Sequence, residues 1–221
     1  MIDFKKLQEM LLSKNVDKKY PKHTLIELHP SLLDNFSKIY DLLNHIIDIQ
    51  TNKNLPIVTV SLGSSKDIDQ RFFHDISKTL IKLANEKKIN VTIFGKWYDL
   101  EGQLVEQLKV LNNETKEFDH FFLNLCINYN GKEEITDASR VIIRKIIQEK
   151  TDIDSINPEM YKENIYSSYL LPPELIIQPD NIIRGTFLWD SVGAKLVSLN
   201  KKVELITKAD IERVIENFGS S

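Results

Sequence analysis

The chain has 221 residues, with 29 lysines and arginines against 32 aspartates and glutamates, seven glycines, seven prolines and a single cysteine. That length suits one α/β unit with a sizeable core, the near balance of charge excludes the basic footprint of a nucleic-acid-binding domain, and one cysteine excludes a disulfide framework and fits a reducing compartment. No apolar run approaches the roughly 18–20 residues that a membrane-spanning helix needs.

The amino-terminal stretch, residues 1–19, interleaves Leu7, Leu11 and Leu12 with lysines and acids, which makes it neither a signal peptide nor an anchor. It reads as a helix packing on its own domain, with a peripheral membrane surface as the alternative. Short runs rich in Ile, Val and Leu follow at Thr24–Leu28, Ile57–Ser61, Asn90–Phe94, Phe121–Ile127, Glu174–Gln178 and Leu196–Leu199, the pattern of strands buried on both faces. Between them Leu32, Phe36, Ile39, Leu43 and Ile46, then Phe72, Ile76, Leu80 and Leu83, keep helical spacing. Helices also fit Leu100–Leu111, Glu133–Gln148 and Pro158–Tyr169. Ser31 with Asp34, and Thr207 with Asp210, have capping-box spacing. The alternation predicts an α/β fold with a mostly parallel six-stranded sheet flanked by helices. No repeat or linker divides it, so residues 1–221 form one domain with a tail at 217–221.

Individual residues leave several chemistries open. His23, Glu27 and His29 alternate on one strand face, as metal ligands can, but no further ligand is identifiable. Cys126 lies in an apolar run and reads as a core residue. Lys132, Glu133 and Glu134 open a helix, where acids complement the macrodipole rather than serve acid–base chemistry. Ser64 and Ser65 after Gly63 suit an anion contact or a plain turn, and Trp97-Tyr98 either caps a cleft or packs at a helix start. There is no G-x-S-x-G, P-loop or paired C-x-x-C.

The stretch F-F-L-N-L-C-I-N-Y-N-G-K-E-E-I, from Phe121 to Ile135, resembles the L-N-I-x-x-N-Y-G-G-R-x-E-I segment of cis-prenyltransferases, the undecaprenyl and dehydrodolichyl diphosphate synthases. Five further segments resemble that family in the same order: Pro21-Lys22-His23 before the first strand, Val60–Ser65, Val91–Gly95, Pro173–Ile177 and Phe187-Leu188-Trp189. The resemblance implies the family's fold. It also implies an activity, the elongation of an allylic diphosphate with isopentenyl diphosphate, using Mg²⁺ and no other cofactor.

The same comparison implies losses. The family's D-G-N-x-R-W loop is replaced by Leu28-His29-Pro30-Ser31, with His29 at the aspartate position and a proline where a backbone N–H would be needed. Asp67 and Ile68 stand for the Asn-Trp of S-x-E-N-W, Gln178 for the arginine after P-D-L-L-I, and Lys195 for the acid of Y-A-E-L. Arg184 and Ser64 remain as anion contacts. These features resemble the accessory subunits of heteromeric cis-prenyltransferases, the Nogo-B receptor branch, whose R-x-G terminus reaches the partner's active site; Asn217-Phe218-Gly219 is an N-x-G form of it. The implied reading is a catalytically degenerate subunit of a polyprenyl diphosphate synthase that serves glycosyl carrier lipid (dolichol) synthesis. Its partner would be a catalytic homologue in a heterodimer or heterotetramer, and its ligands isoprenoid diphosphates. It would bind no Mg²⁺ of its own, the ion residing in the partner's site, and would work in the cytoplasm or at the membrane surface. The alternatives are a self-sufficient divergent prenyltransferase using Arg184, Lys195 and Asp67 in new roles, and a non-enzymatic prenyl-lipid-binding protein.

Overall fold

The structure, a computed structural model, describes residues 19–28, 37–63 and 70–220. The amino-terminal helix proposed for residues 1–19, apart from Lys19, and the Ser31–Asp34 cap fall outside the described residues. Six parallel strands form one sheet in the order β3-β4-β2-β1-β5-β6: β1 His23–Glu27, β2 Ile57–Ser61, β3 Ile89–Phe94, β4 Phe121–Cys126, β5 Leu175–Gln178 and β6 Lys195–Ser198. Each lies within one residue of the strand expected from the sequence. The helices are α1 Ser37–Asn52, α2 Gln70–Lys87, α3 Gly102–Thr115, α4 Gly131–Glu149, α5 Pro158–Asn164 and α6 Lys208–Glu216. Among the described residues no helix is long and apolar enough to cross a membrane.

Strand side chains alternate between the two faces, and the faces differ in kind. Ile26, Leu28, Val58, Val60, Val91, Ile93, Leu123 and Leu125 meet Ile39, Leu42, Leu43 and Ile46 of α1 in the main core. The opposite face carries a polar line across its middle, with His23, Thr59 and Asn124 all buried under Phe187, Tyr129 and Leu170.

The cap at Thr207 behaves as its spacing suggests, and the structure adds a second at Asn157. Thr207 and Asp210 close a complete capping box at α6, each satisfying a backbone N–H that the helix would leave unpaired. Asn157 caps α5, accepting from Met160 N at 2.9 Å. The helix expected over Pro158–Tyr169 stops at Asn164, because side chains claim the next backbone groups. Tyr166 N donates to Glu134 Oε1 at 3.0 Å, and Lys162 Nζ donates to the carbonyls of Ser167 and Leu170 at 3.0 and 3.2 Å.

His23 is a satisfied core residue, which corrects the metal-ligand alternative. Its Nδ1 lies 2.6 Å from Leu171 O and its Nε2 2.8 Å from Thr59 Oγ1. A carbonyl only accepts, so Nδ1 carries the proton and Nε2 accepts the Thr59 hydroxyl, which in turn accepts from Asn124 Nδ2 at 3.0 Å. Burial pushes the imidazole down from 6.5 to about 4. The unfolded chain therefore takes up a proton that the folded chain refuses between about pH 6.5 and 4, and stability falls as pH drops through that window. Denaturant midpoints measured against pH should lose up to about 3 kcal/mol over this range in the wild type. The loss should shrink sharply in His23→Gln, whatever its stability at neutral pH.

Candidate functional site

In open parallel sheets, ligands bind outside the carboxyl ends of the strands. Here that edge is built from Glu27, Ser61–Gly63, Cys126–Gly131 and Gln178–Asp180, with the 184–190 loop folded over it. The loop after β4 is shaped by Asn128 at φ 50° and by Asn130, whose Oδ1 caps α4 by accepting from Lys132 N at 2.9 Å and Glu133 N at 3.4 Å. Gly131 is required because a Cβ there would lie 2.1 Å from Gly185 O, so the 185 loop rests directly on the helix start.

Tyr129 fastens these pieces. Its hydroxyl donates to Glu134 Oε2 at 2.5 Å and accepts from Phe187 N at 3.1 Å. Glu134 is fully buried, and burial pushes its carboxyl up, opposed by the Tyr129 hydroxyl and the backbone N–H groups of Tyr166 and Ser167. Phe187 sits at φ 50°, a costly conformation for a bulky residue. It is held edge-on against Phe94 at 5.6 Å, Tyr129 at 5.7 Å and His23 at 6.2 Å. The neighbouring Thr186 Oγ1 lies 2.8 Å from Ser61 Oγ. Glu134 is thus a structural carboxylate, as its helix-start position suggested. Cys126 is fully buried with its thiol pushed well up by that burial, so it packs and does not react.

Among the described residues, Arg184 and Lys96 at this edge face carboxylates of the same chain. Arg184 forms a two-bond fork on Asp180, 2.8 Å to Oδ1 and 2.7 Å to Oδ2, and the Asp180 bonds raise its pKa, with Glu27 adding to the same field. Lys96 lies 3.3 Å from Glu133 and 3.4 Å from Asp137. Trp97 and Tyr98 form a short turn beside it, Trp97 packed on the main core and Tyr98 exposed.

The structure separates the residues that the sequence grouped. Gln178 lies at the carboxyl edge, buried, with Nε2 donating to Ser198 Oγ at 3.1 Å. Lys195 begins β6, in register with Leu175, and so lies at the amino edge, roughly 10 Å away along the strand direction. The tail is also at the amino edge: Asn217 ends α6, Phe218 packs on the main core, and a Cβ on Gly219 would come within 3.0 Å of Lys19. Glu216 pairs there with Lys53, and Arg213 bonds Asp210 at 3.3 Å. His29, Ser64 and Asp67 lie outside the described residues. Tyr129, Asp180 and Phe187 were not foreseen as site residues; the D-x-x-x-R spacing of Asp180 and Arg184 was the readable sign.

Magnesium asks for oxygen ligands converging octahedrally. Among the described residues no group of three or more His, Cys, Asp or Glu is placed to hold a metal.

The sequence profile described as "Putative undecaprenyl diphosphate synthase" matches residues 64–221. The chain belongs to the cis-prenyltransferase family. Among curated relatives, the tritrans,polycis-undecaprenyl-diphosphate synthase (geranylgeranyl-diphosphate specific) of Picrophilus torridus is 28% identical over 194 residues, 82% of this chain and 74% of that protein. The isoprenyl transferase of Thermotoga maritima is 27% identical over 141 residues, 63% of this chain and 60% of that protein. In fold, this chain superposes on lavandulyl diphosphate synthase from Lavandula x intermedia, solved in complex with dimethylallyl diphosphate, with a TM-score of 0.84 at 16% identity over 93% of this chain and 98% of that one. A probable undecaprenyl diphosphate synthase from Campylobacter jejuni gives 0.69 at 18% identity, over 91% and 96%. The profile match starts downstream of β1 and β2.

Tyr129→Phe removes a donor from a buried carboxylate and an acceptor from a buried N–H. It should cost about 2–3 kcal/mol in equilibrium unfolding and speed amide exchange at Phe187. Unchanged protection at Phe187 would contradict the bridging role of the hydroxyl.

Proposed function

We propose that this family member is the accessory, catalytically degenerate subunit of a heteromeric cis-prenyltransferase that makes long-chain polyprenyl diphosphate. The observation that carries this reading is the internal neutralisation of the carboxyl edge. A site for two diphosphates needs cations and backbone N–H groups turned toward the ligand, yet Arg184 and Lys96 are both turned onto carboxylates of their own chain.

Two further features support it. The tail Asn217–Gly219 lies at the amino edge of the sheet, far from the chain's own carboxyl edge, so any diphosphate it serves belongs to another subunit. Gly219 would allow close backbone approach there, and Asn217 an amide donor in place of a fixed charge. The edge strand β6 and the segments before it also expose Ile182, Ile183, Val192 and Leu196, apolar area that suits the centre of a protein interface. Mg²⁺ and the isoprenoid diphosphates would sit in the catalytic partner, in the cytoplasm or at a membrane surface.

A second reading, a self-sufficient synthase with an altered site, is favoured by the catalytic names of the curated relatives. Incorporation of labelled isopentenyl diphosphate onto geranylgeranyl diphosphate with Mg²⁺ separates the two. The accessory reading expects no product from this chain alone, and at least a tenfold gain when it is mixed with a homologue that has an intact D-G-N loop; turnover by the isolated chain refutes it. Deleting residues 217–221 should remove most of the gain while leaving the complex assembled. Leu196→Asp with Val192→Asp should instead abolish co-purification.

A further inference from the structure

We propose that Lys53 is a positioning residue for the carboxy-terminal tail, holding the end of α6 so that Asn217 is presented at a fixed place on the amino edge. The inference rests on the reading of Asn217–Gly219 as the segment offered to another subunit. The tail is held on both sides of Asn217. Before it, Lys53 Nζ pairs with the carboxylate of Glu216, the last residue of α6. After it, Phe218 packs on the main core, and a Cβ on Gly219 would lie 3.0 Å from both the Cα and the O of Lys19. Asn217 itself is exposed, and its N–H closes the helix on Arg213 O at 3.2 Å. A side-chain amide on a restrained backbone has its direction set in advance, which lowers the ordering cost of meeting a ligand.

Lys53 suits this role because its own backbone is fixed. Past α1, Lys53 N donates to Ile49 O and Leu55 N to Gln50 O, both at 2.9 Å, while Asn54 at φ 53° turns the chain toward β2. The Lys53 ammonium also lies 6.0 Å from the centre of the Tyr20 ring, which packs on the main core and has Lys19 Nζ at 5.6 Å. The bond to Glu216 raises the Lys53 pKa against the effect of burial, with Tyr20 and Glu212 adding to the same field. The two side chains are 22% and 45% exposed, and pairs so open to water add little to global stability. Losing this one should therefore move the tail and spare the fold.

The test has two arms. In the isolated full chain, Lys53→Met should speed amide exchange at Asn217, Phe218 and Gly219 about threefold, the scale of one exposed pair, with an unchanged denaturation midpoint. Mixed with a homologue bearing an intact D-G-N loop, the variant should co-purify as the wild type does. There it should raise the KM for isopentenyl diphosphate about threefold with kcat little changed, as lost ground-state binding does. Glu216→Gln, which cuts the pair from the other side, should give the same two changes. Lys53→Arg should behave as the wild type, and Lys53→Glu with Glu216→Lys should recover both readouts. Unchanged exchange in Lys53→Met, or an unmoved KM in a mixture that shows the gain, overturns the proposal. Absence of any gain with the wild type sinks the accessory reading instead, and tail exchange in the isolated chain still decides whether Lys53 holds the tail.

Discussion

The hydroxyl of Tyr129 is the point on which the irregular half of this molecule depends. It lies between a buried carboxylate and the N–H of a residue in a costly conformation. Residues 127–135, 165–170 and 184–190 are all loops or loop–helix junctions laid over the sheet, and buried loop backbone is stable only when its polar groups find partners. Glu134 collects donors from two of these segments, and Tyr129 passes the connection to the third. Ionising Glu134 in this setting is unfavourable by burial alone; the donors around it offset that cost. A positive φ at Phe187 costs of the order of 1–3 kcal/mol, and the three aromatic rings around it keep the residue there.

That arrangement gives the sheet two unlike ends. The carboxyl edge, where ligands sit in folds of this type, is braced by Tyr129 and Glu134 and balanced in charge by Asp180, Glu133 and Asp137. The amino edge holds the end of α6, the tail and Lys195. The segment that best marks the family, Phe121 to Ile135, therefore owes its pattern to support: strand, capped turn, close glycine contact and buried glutamate.

The first five strands were legible in the sequence because each is short, apolar and largely buried, so composition alone marks its limits, whereas β6 is only partly buried. The capping box at Thr207 was legible for a similar reason, being local. The end of α5 was not, since Tyr166 and Leu170 carry helical character, and what stops the helix is a glutamate from α4 and a lysine reaching forward. The opposite placements of Gln178 and Lys195 were hidden too: their distance depends on the β5–β6 register, which the chain sets only on folding. The sequence left the role of His23 open, because its partners, Thr59 and Leu171, come from elsewhere in the chain.

The strand order carries a consequence for how the molecule is made. β1 is central, and one of its edges is matched only when Thr24 meets Leu175. β3 has no neighbour until β4 slides between it and β2. At roughly 5–20 residues per second, synthesis of the intervening chain takes on the order of ten seconds. During that interval the Leu-Ile-rich first strand presents an open, apolar edge, and long-range parallel pairing is intrinsically slow to repair it. The nascent chain is thus most exposed to misassembly early, and a chaperone acting on its first third would protect the strand around which the sheet is completed.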